Sequence, residues 1–119
     1  MNYIKDTIQG FIKVIKSNKK IAGESFNIGS GFKVTINDLV IRIKKLMNSN
    51  IEVSFDKSRA RPKKSEVEGL LCNSNKAKKI LNWKPKYVGS NGLNDGLKET
   101  INWFIKNKKN YIFNKFYIK

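Results

Sequence analysis

The sequence predicts an α/β fold, mostly helical with two or three short strands, in the order α-β-α-β-α-α. Two patterns carry that reading. Apolar residues recur at one-face helical spacing in four stretches, and in two others they alternate with polar residues. The length of 119 residues adds a bound. It is one domain's worth of chain, or part of a larger one, and such a chain buries about two thirds of its unfolded surface without needing a disulfide or metal.

Asp6 is placed to N-cap the first helix, with Gln9 three residues on in capping-box spacing. Ile8, Phe11, Ile12 and Ile15 form its apolar face, and the lysine-rich stretch to Lys20 closes it. Phe26 and Ile28 alternate in a short strand that runs into Gly29-Ser30-Gly31. Thr35 caps a second helix, with Asp38 at the third position and Ile36, Leu39, Val40, Ile43, Leu46 and Met47 on one face. Ile51, Val53 and Phe55 alternate as a half-buried strand. Residues 56–72 form a charged loop around Arg59, Arg61 and Pro62. Asn73 or Ser74 then starts a short helix through Ala77, Ile80 and Leu81, ended by Trp83-Lys84-Pro85, because proline disfavours helix in the residue before it. A last helix from about Asn91 aligns Leu93, Leu97, Ile101, Phe104 and Ile105. The tail 106–119 mixes lysines and aromatics without period and reads as a poorly ordered terminus. One difficulty is built into this order: two short strands separated by helices do not make a satisfactory sheet alone.

Composition closes several functions. There is no histidine, so histidine bases, ligands and Ser-His triads are absent. Cys72 is the single cysteine, which excludes a disulfide framework and a thiolate-rich zinc site and suits a reducing cytosol. No apolar run reaches the ~18 residues a membrane span needs, and MNYIKDTIQG lacks the order of a signal peptide. A cytoplasmic chain is expected. Its 25 Lys+Arg against 9 Asp+Glu give a net charge of +16, the usual pointer to nucleic acid or an anionic membrane. Only three of the 25 are arginine, however, and lysine is a solvated point charge rather than the fork that reads grooves and clamps phosphates. A lysine-coated face is the plainer reading, and a basic module binding nucleic acid or anionic membrane non-specifically is the alternative function.

Four features invite chemistry. Gly29-Ser30-Gly31 follows a strand, but Val34 stands where a G-x-G-x-x-G phosphate cradle needs its third glycine, so a strand-exit turn is expected. Arg59-Ala60-Arg61-Pro62-Lys63-Lys64-Ser65-Glu66-Val67 is the most informative segment. A guanidinium can grip a diphosphate bidentately and a nearby carboxylate can accept from ribose hydroxyls, although composition alone favours a solvated loop over a site. Cys72, without a second cysteine or histidine, reads as a buried thiol. Trp83 and Trp103, beside apolar helix faces, read as core.

Taken in order, these segments resemble the C-terminal third of the extended short-chain dehydrogenase/reductase group, the NAD-dependent sugar-nucleotide epimerases and dehydratases. The matching pieces are Tyr3-Ile4-Lys5-Asp6-Thr7, Phe26-Asn27-Ile28-Gly29-Ser30-Gly31, and Arg61-Pro62 with Ser65-Glu66-Val67. They continue with Asn73-Ser74-Asn75-Lys76-Ala77, Leu81-Asn82-Trp83-Lys84-Pro85 and residues 92–104. Together they cover about residues 2–105. The R-P-x-x-S-E-V form is most similar to the 4,6-dehydratase branch, of the GDP-mannose dehydratase-like or legionaminic-acid-pathway type.

The resemblance implies a substrate-binding region over 1–105 and roles for two residues: Arg61 on the nucleotide diphosphate and Glu66 on the ribose. The chain departs from the branch at Gly69, where arginine is common, and at Asn73, where aspartate is usual. The family's glycine-rich Rossmann loop and its Tyr-x-x-x-Lys catalytic pair have no counterpart in a suitable helix here. The expectation is therefore a detached C-terminal piece with no catalytic residue. It would bind no NAD(P) itself, bind a nucleotide-diphosphate sugar, and be completed by a missing Rossmann half or by self-association.

Overall fold

Four helices and the irregular segments between them make up the described part of the computed structural model, residues 1–56 and 69–110. Arg59, Arg61 and Glu66 of the charged loop, and the tail from Tyr111 onward, lie outside the described residues.

Helix α1 spans Ile4–Ile15. Its N-cap is Tyr3, by backbone alone, so Asp6 sits in the first turn and not at the cap expected of it. The reason is a stronger demand on its carboxylate. Asp6 is buried and accepts from the backbone N–H groups of Lys86 and Tyr87, each at 2.9 Å. Two long-range amide donors outcompete a local cap.

Helix α2 spans Ile36–Leu46 and starts as expected: the Thr35 hydroxyl accepts from the Asp38 amide at 3.0 Å and donates to the Asp38 carboxylate at 2.7 Å. Leu39, Val40, Ile43 and Leu46 are half-buried, whereas Ile36 and Met47 at the ends of the stripe stay exposed. Helix α3, Asn75–Leu81, stops at Asn82, whose φ of 49° takes the left-handed turn that ends a helix. Helix α4 runs Gly89–Lys106, two residues earlier than the apolar pattern places it, and a 3-10 turn follows at Lys108–Asn110.

The core is small. Ala77, Leu81 and Trp83 are buried together, and Ile21, Phe26, Ile28 and Ile80 pack on them. Trp83 behaves as the sequence suggests, fully enclosed with its indole N–H on the Asp6 carbonyl at 3.1 Å. Trp103 does not: it is half exposed on α4, edge-on to Phe104. Helices α1 and α4 are joined through Glu99, and α2 is tied to α4 by Arg42, whose Nη1 donates to Asn94 Oδ1 at 2.7 Å.

The expected strands are the main correction. No strand occurs among the described residues. Residues 26–28 and 51–56 carry no regular element, and a strand is defined by a neighbour with which to exchange ladder bonds. Among the described residues neither segment has one. Phe26 and Ile28 turn toward the core, while Ile51, Val53 and Phe55 all stand exposed.

Candidate functional site

Between the turn at 29–32 and the segment 70–73 lies a cleft of about 590 Å³, with Met1 and Asn2 on its rim. Both walls are set by close approach. Gly29 is buried, and a Cβ there would lie 2.4 Å from the Cys72 Cβ, so only glycine admits this contact. Cys72 is thus a partly buried packing residue, as its isolation in sequence suggests. Ser74 Oγ donates to the Gly29 carbonyl at 3.3 Å, and Ser30 Oγ donates to the Met1 carbonyl at 2.6 Å. Gly31 takes φ +67°, the positive value anticipated for a turn glycine.

The same turn does not fit a dinucleotide. A phosphate cradle needs a helix N-terminus directly after the glycines, and here Phe32 to Thr35 lie outside any helix before α2 begins at Ile36. Gly29, moreover, is packed against Cys72.

A second, apolar cavity of about 200 Å³ continues from the cleft through Met1, Asn2, Ser30 and Phe32. It is walled by Tyr3, Tyr87 and α4 at Gly92 and Gly96. A Cβ at Gly92 would lie 2.3 Å from the Tyr87 carbonyl carbon, and one at Gly96 3.2 Å from the Tyr3 ring. The glycines are what let both tyrosines reach α4.

Those tyrosines converge on Glu99. Its carboxylate accepts from the Tyr3 hydroxyl at 3.0 Å, from the Tyr87 hydroxyl and from Lys5 Nζ. Lys5, then Tyr87 and Tyr3, hold the Glu99 carboxyl down to about 2. Glu99 in turn pushes Lys5 up. The Tyr87 hydroxyl is raised chiefly by its bond to Glu99, and that of Tyr3 by burial and then by Glu99. A charged carboxylate saturated by three donors is a tie between helices and a poor proton acceptor. The cluster joins residues up to 96 positions apart, so no local pattern announces it.

The two residues assigned a ligand role, Arg61 and Glu66, lie outside the described residues, and the described chain resumes at Gly69, one residue before Leu70 lines the wall. Comparison with known proteins bears on what this cleft is. The family model described as GDP-mannose 4,6 dehydratase matches residues 1–96.

The chain belongs to the GDP-mannose 4,6-dehydratase family.

Relatives of this dehydratase-family chain carry related names. It is 29% identical over 106 residues to the UDP-glucuronate 4-epimerase of Thermodesulfobacterium geofontis, covering 88% of this chain and 29% of that one. It is 30% identical over 116 residues to the human dTDP-D-glucose 4,6-dehydratase, covering 92% and 30%. An uncharacterised protein of Methanocaldococcus jannaschii is 29% identical over 106 residues, covering 89% and 29%. The chain thus spans less than a third of the length of the curated relatives it matches. No solved structure matches it. The sequence resemblance to NAD-dependent epimerases and dehydratases is borne out. Among the described residues no helix is long and apolar enough to cross a membrane.

Proposed function

We propose that this chain supplies the nucleotide-sugar-binding portion of an NAD-dependent sugar-nucleotide 4,6-dehydratase or epimerase and is inactive alone. Family membership over residues 1–96 is the observation that carries the reading. Arg61 grips the diphosphate through paired N–H bonds, and Glu66 accepts from the ribose hydroxyls. The cleft of Gly29–Phe32 and Leu70–Asn73 supports this reading, because it lies at the returning end of their loop. The dinucleotide and the reacting Tyr-Lys pair belong to a Rossmann half supplied by other chain, consistent with a glycine turn that does not fit a cofactor. The setting is cytoplasmic.

The test replaces the corresponding third of the T. geofontis epimerase with this chain and measures dissociation constants for UDP- and GDP-sugars. Arg61→Ala and Glu66→Ala are each expected to weaken binding about tenfold to a hundredfold, the effect of losing a charge-assisted hydrogen bond worth about 1.5–3 kcal/mol. Lys63→Ala, a point charge on a wet loop, should change it little. Equal, small effects at all three positions would show the loop to be only a solvated charge run.

A further inference from the structure

Helix α4 ends in a way that packing on the core does not explain. Its last turn exposes Trp103, Phe104 and Ile105 at 49, 46 and 64%, three large apolar side chains in succession. Successive residues are about 100° apart around a helix, so the three cover more than half its circumference instead of one core-facing stripe. The turn is fixed in place. The backbone N–H and the side-chain amide of Asn107 both donate to the Trp103 carbonyl, at 3.0 and 2.8 Å, and the Trp103 ring meets Phe104 edge-on. Lys106, Lys108 and Lys109 follow and are exposed. The segment YIFNKFYIK at 111–119 lies outside the described residues, and its sequence adds four aromatics, two isoleucines and two lysines. All nine acidic residues of the chain come no later than Glu99, so the stretch from Trp103 onward is cationic without a counter-charge of its own. The family match ends at residue 96 and does not reach it.

We propose that the end of α4, residues 103–109, is a peripheral attachment site for an anionic bilayer surface. Trp103, Phe104 and Ile105 enter the boundary between headgroups and acyl chains, where amphipathic rings and aliphatic side chains both gain. The lysines lay their apolar stems along that boundary and carry their charge to the anionic headgroups. Two observations select lipid over nucleic acid, the other extended polyanion. Isoleucine has no ring to stack on a base, yet Ile105, Ile112 and Ile118 are interleaved with the aromatics. No arginine follows Arg61, so the planar fork that grips nucleic-acid phosphates is missing from this stretch. Among the described residues no helix is long and apolar enough to cross a membrane, so the attachment is to the surface. This inference goes beyond the proposed function, since it gives the chain a location and asks nothing of the sugar-nucleotide cleft.

The experiment is co-sedimentation of the full chain with vesicles of about three parts phosphatidylcholine to one part phosphatidylglycerol, set against pure phosphatidylcholine. Binding is expected to be at least about tenfold tighter on the anionic vesicles and to fall as salt is raised. Tryptophan emission adds a local readout. Trp83 is fully enclosed, so a blue shift on adding vesicles reports Trp103. Trp103→Phe should abolish the shift and keep the sedimentation. Trp103→Ser with Ile105→Ser should weaken binding at least about tenfold, with an unchanged far-ultraviolet dichroism spectrum as the check on folding. Replacing Lys106, Lys108 and Lys109 by Gln, all exposed, should weaken it as well and leaves the apolar turn untouched. Ile36→Ser, an equally exposed apolar position at the start of α2, should change nothing. No sedimentation with vesicles, equal sedimentation with the neutral ones, or binding indifferent to both sets of substitutions would each overturn the proposal. So would tighter binding to a single-stranded oligonucleotide that depends on the lysines and not on Trp103 and Ile105.

Discussion

Trp83 donates its indole N–H to the backbone carbonyl of Asp6, 3.1 Å away and 77 positions earlier in the chain. The Asp6 carboxylate, one residue's width away, receives the amides of Lys86 and Tyr87. This reciprocal lock fixes α1 against the turn between α3 and α4, and both partners are buried. Asp6→Ala leaves the buried Tyr87 N–H and the part-buried Lys86 N–H without their acceptor. It should cost about 2–4 kcal/mol, read as a lowered urea midpoint. Trp83→Ala also empties the centre of the core and should cost about 3–5 kcal/mol by the same measurement.

At Gly92, two effects oppose. Alanine gains up to ~1 kcal/mol of helix propensity over glycine. Its methyl, however, would lie 2.3 Å from the Tyr87 carbonyl carbon, and backbone on both sides leaves nothing cheap to move. Sterics should win, and Gly92→Ala should lower the melting temperature. Gly96→Ala meets only the Tyr3 ring at 3.2 Å and should be milder. Equal melting temperatures for the two variants would contradict the packing described.

Thr35→Ala removes the acceptor of the Asp38 amide and should cost about 1 kcal/mol. Thr35→Ser, which keeps the hydroxyl, should restore most of it. Chemical denaturation of the three proteins checks the order.

Glu99 sets an acid limb. Its folded-state pKa is depressed to about 2 from the ordinary 4.5, so the folded state binds the proton more weakly than the unfolded chain. The stability it contributes is therefore complete above the unfolded value and is lost as pH falls through about 2. Glu99→Gln should be less stable than the parent at neutral pH and should converge with it in acid. Urea midpoints across that range test the sign.

Local signals were legible in the sequence, and long-range ones were not. Thr35 and its helix could be read because cap and apolar stripe lie within four turns. The family motifs could be read for the same reason. Asp6 misled because its cap-like position is a local pattern, whereas its partners at Lys86 and Tyr87 meet it only in the fold. Phe26 and Ile28 alternate as strand residues do, yet alternation describes one segment and a ladder needs two. Trp103 looked like core by helical phase, yet on α4 it is half exposed. The Tyr3–Glu99–Tyr87 tie left no trace, since only folding brings its members together.

The central claim is that the cleft and its adjoining loop bind a nucleotide-diphosphate sugar, and amide hydrogen exchange on the complemented enzyme tests it most directly. With UDP- or GDP-sugar added, the account predicts slowed exchange at Asn27–Phe32 and across 57–73, and no such slowing in this chain with NAD alone. Protection confined to the lysine-rich tail at 106–119, or absent from the cleft and the loop, would contradict it.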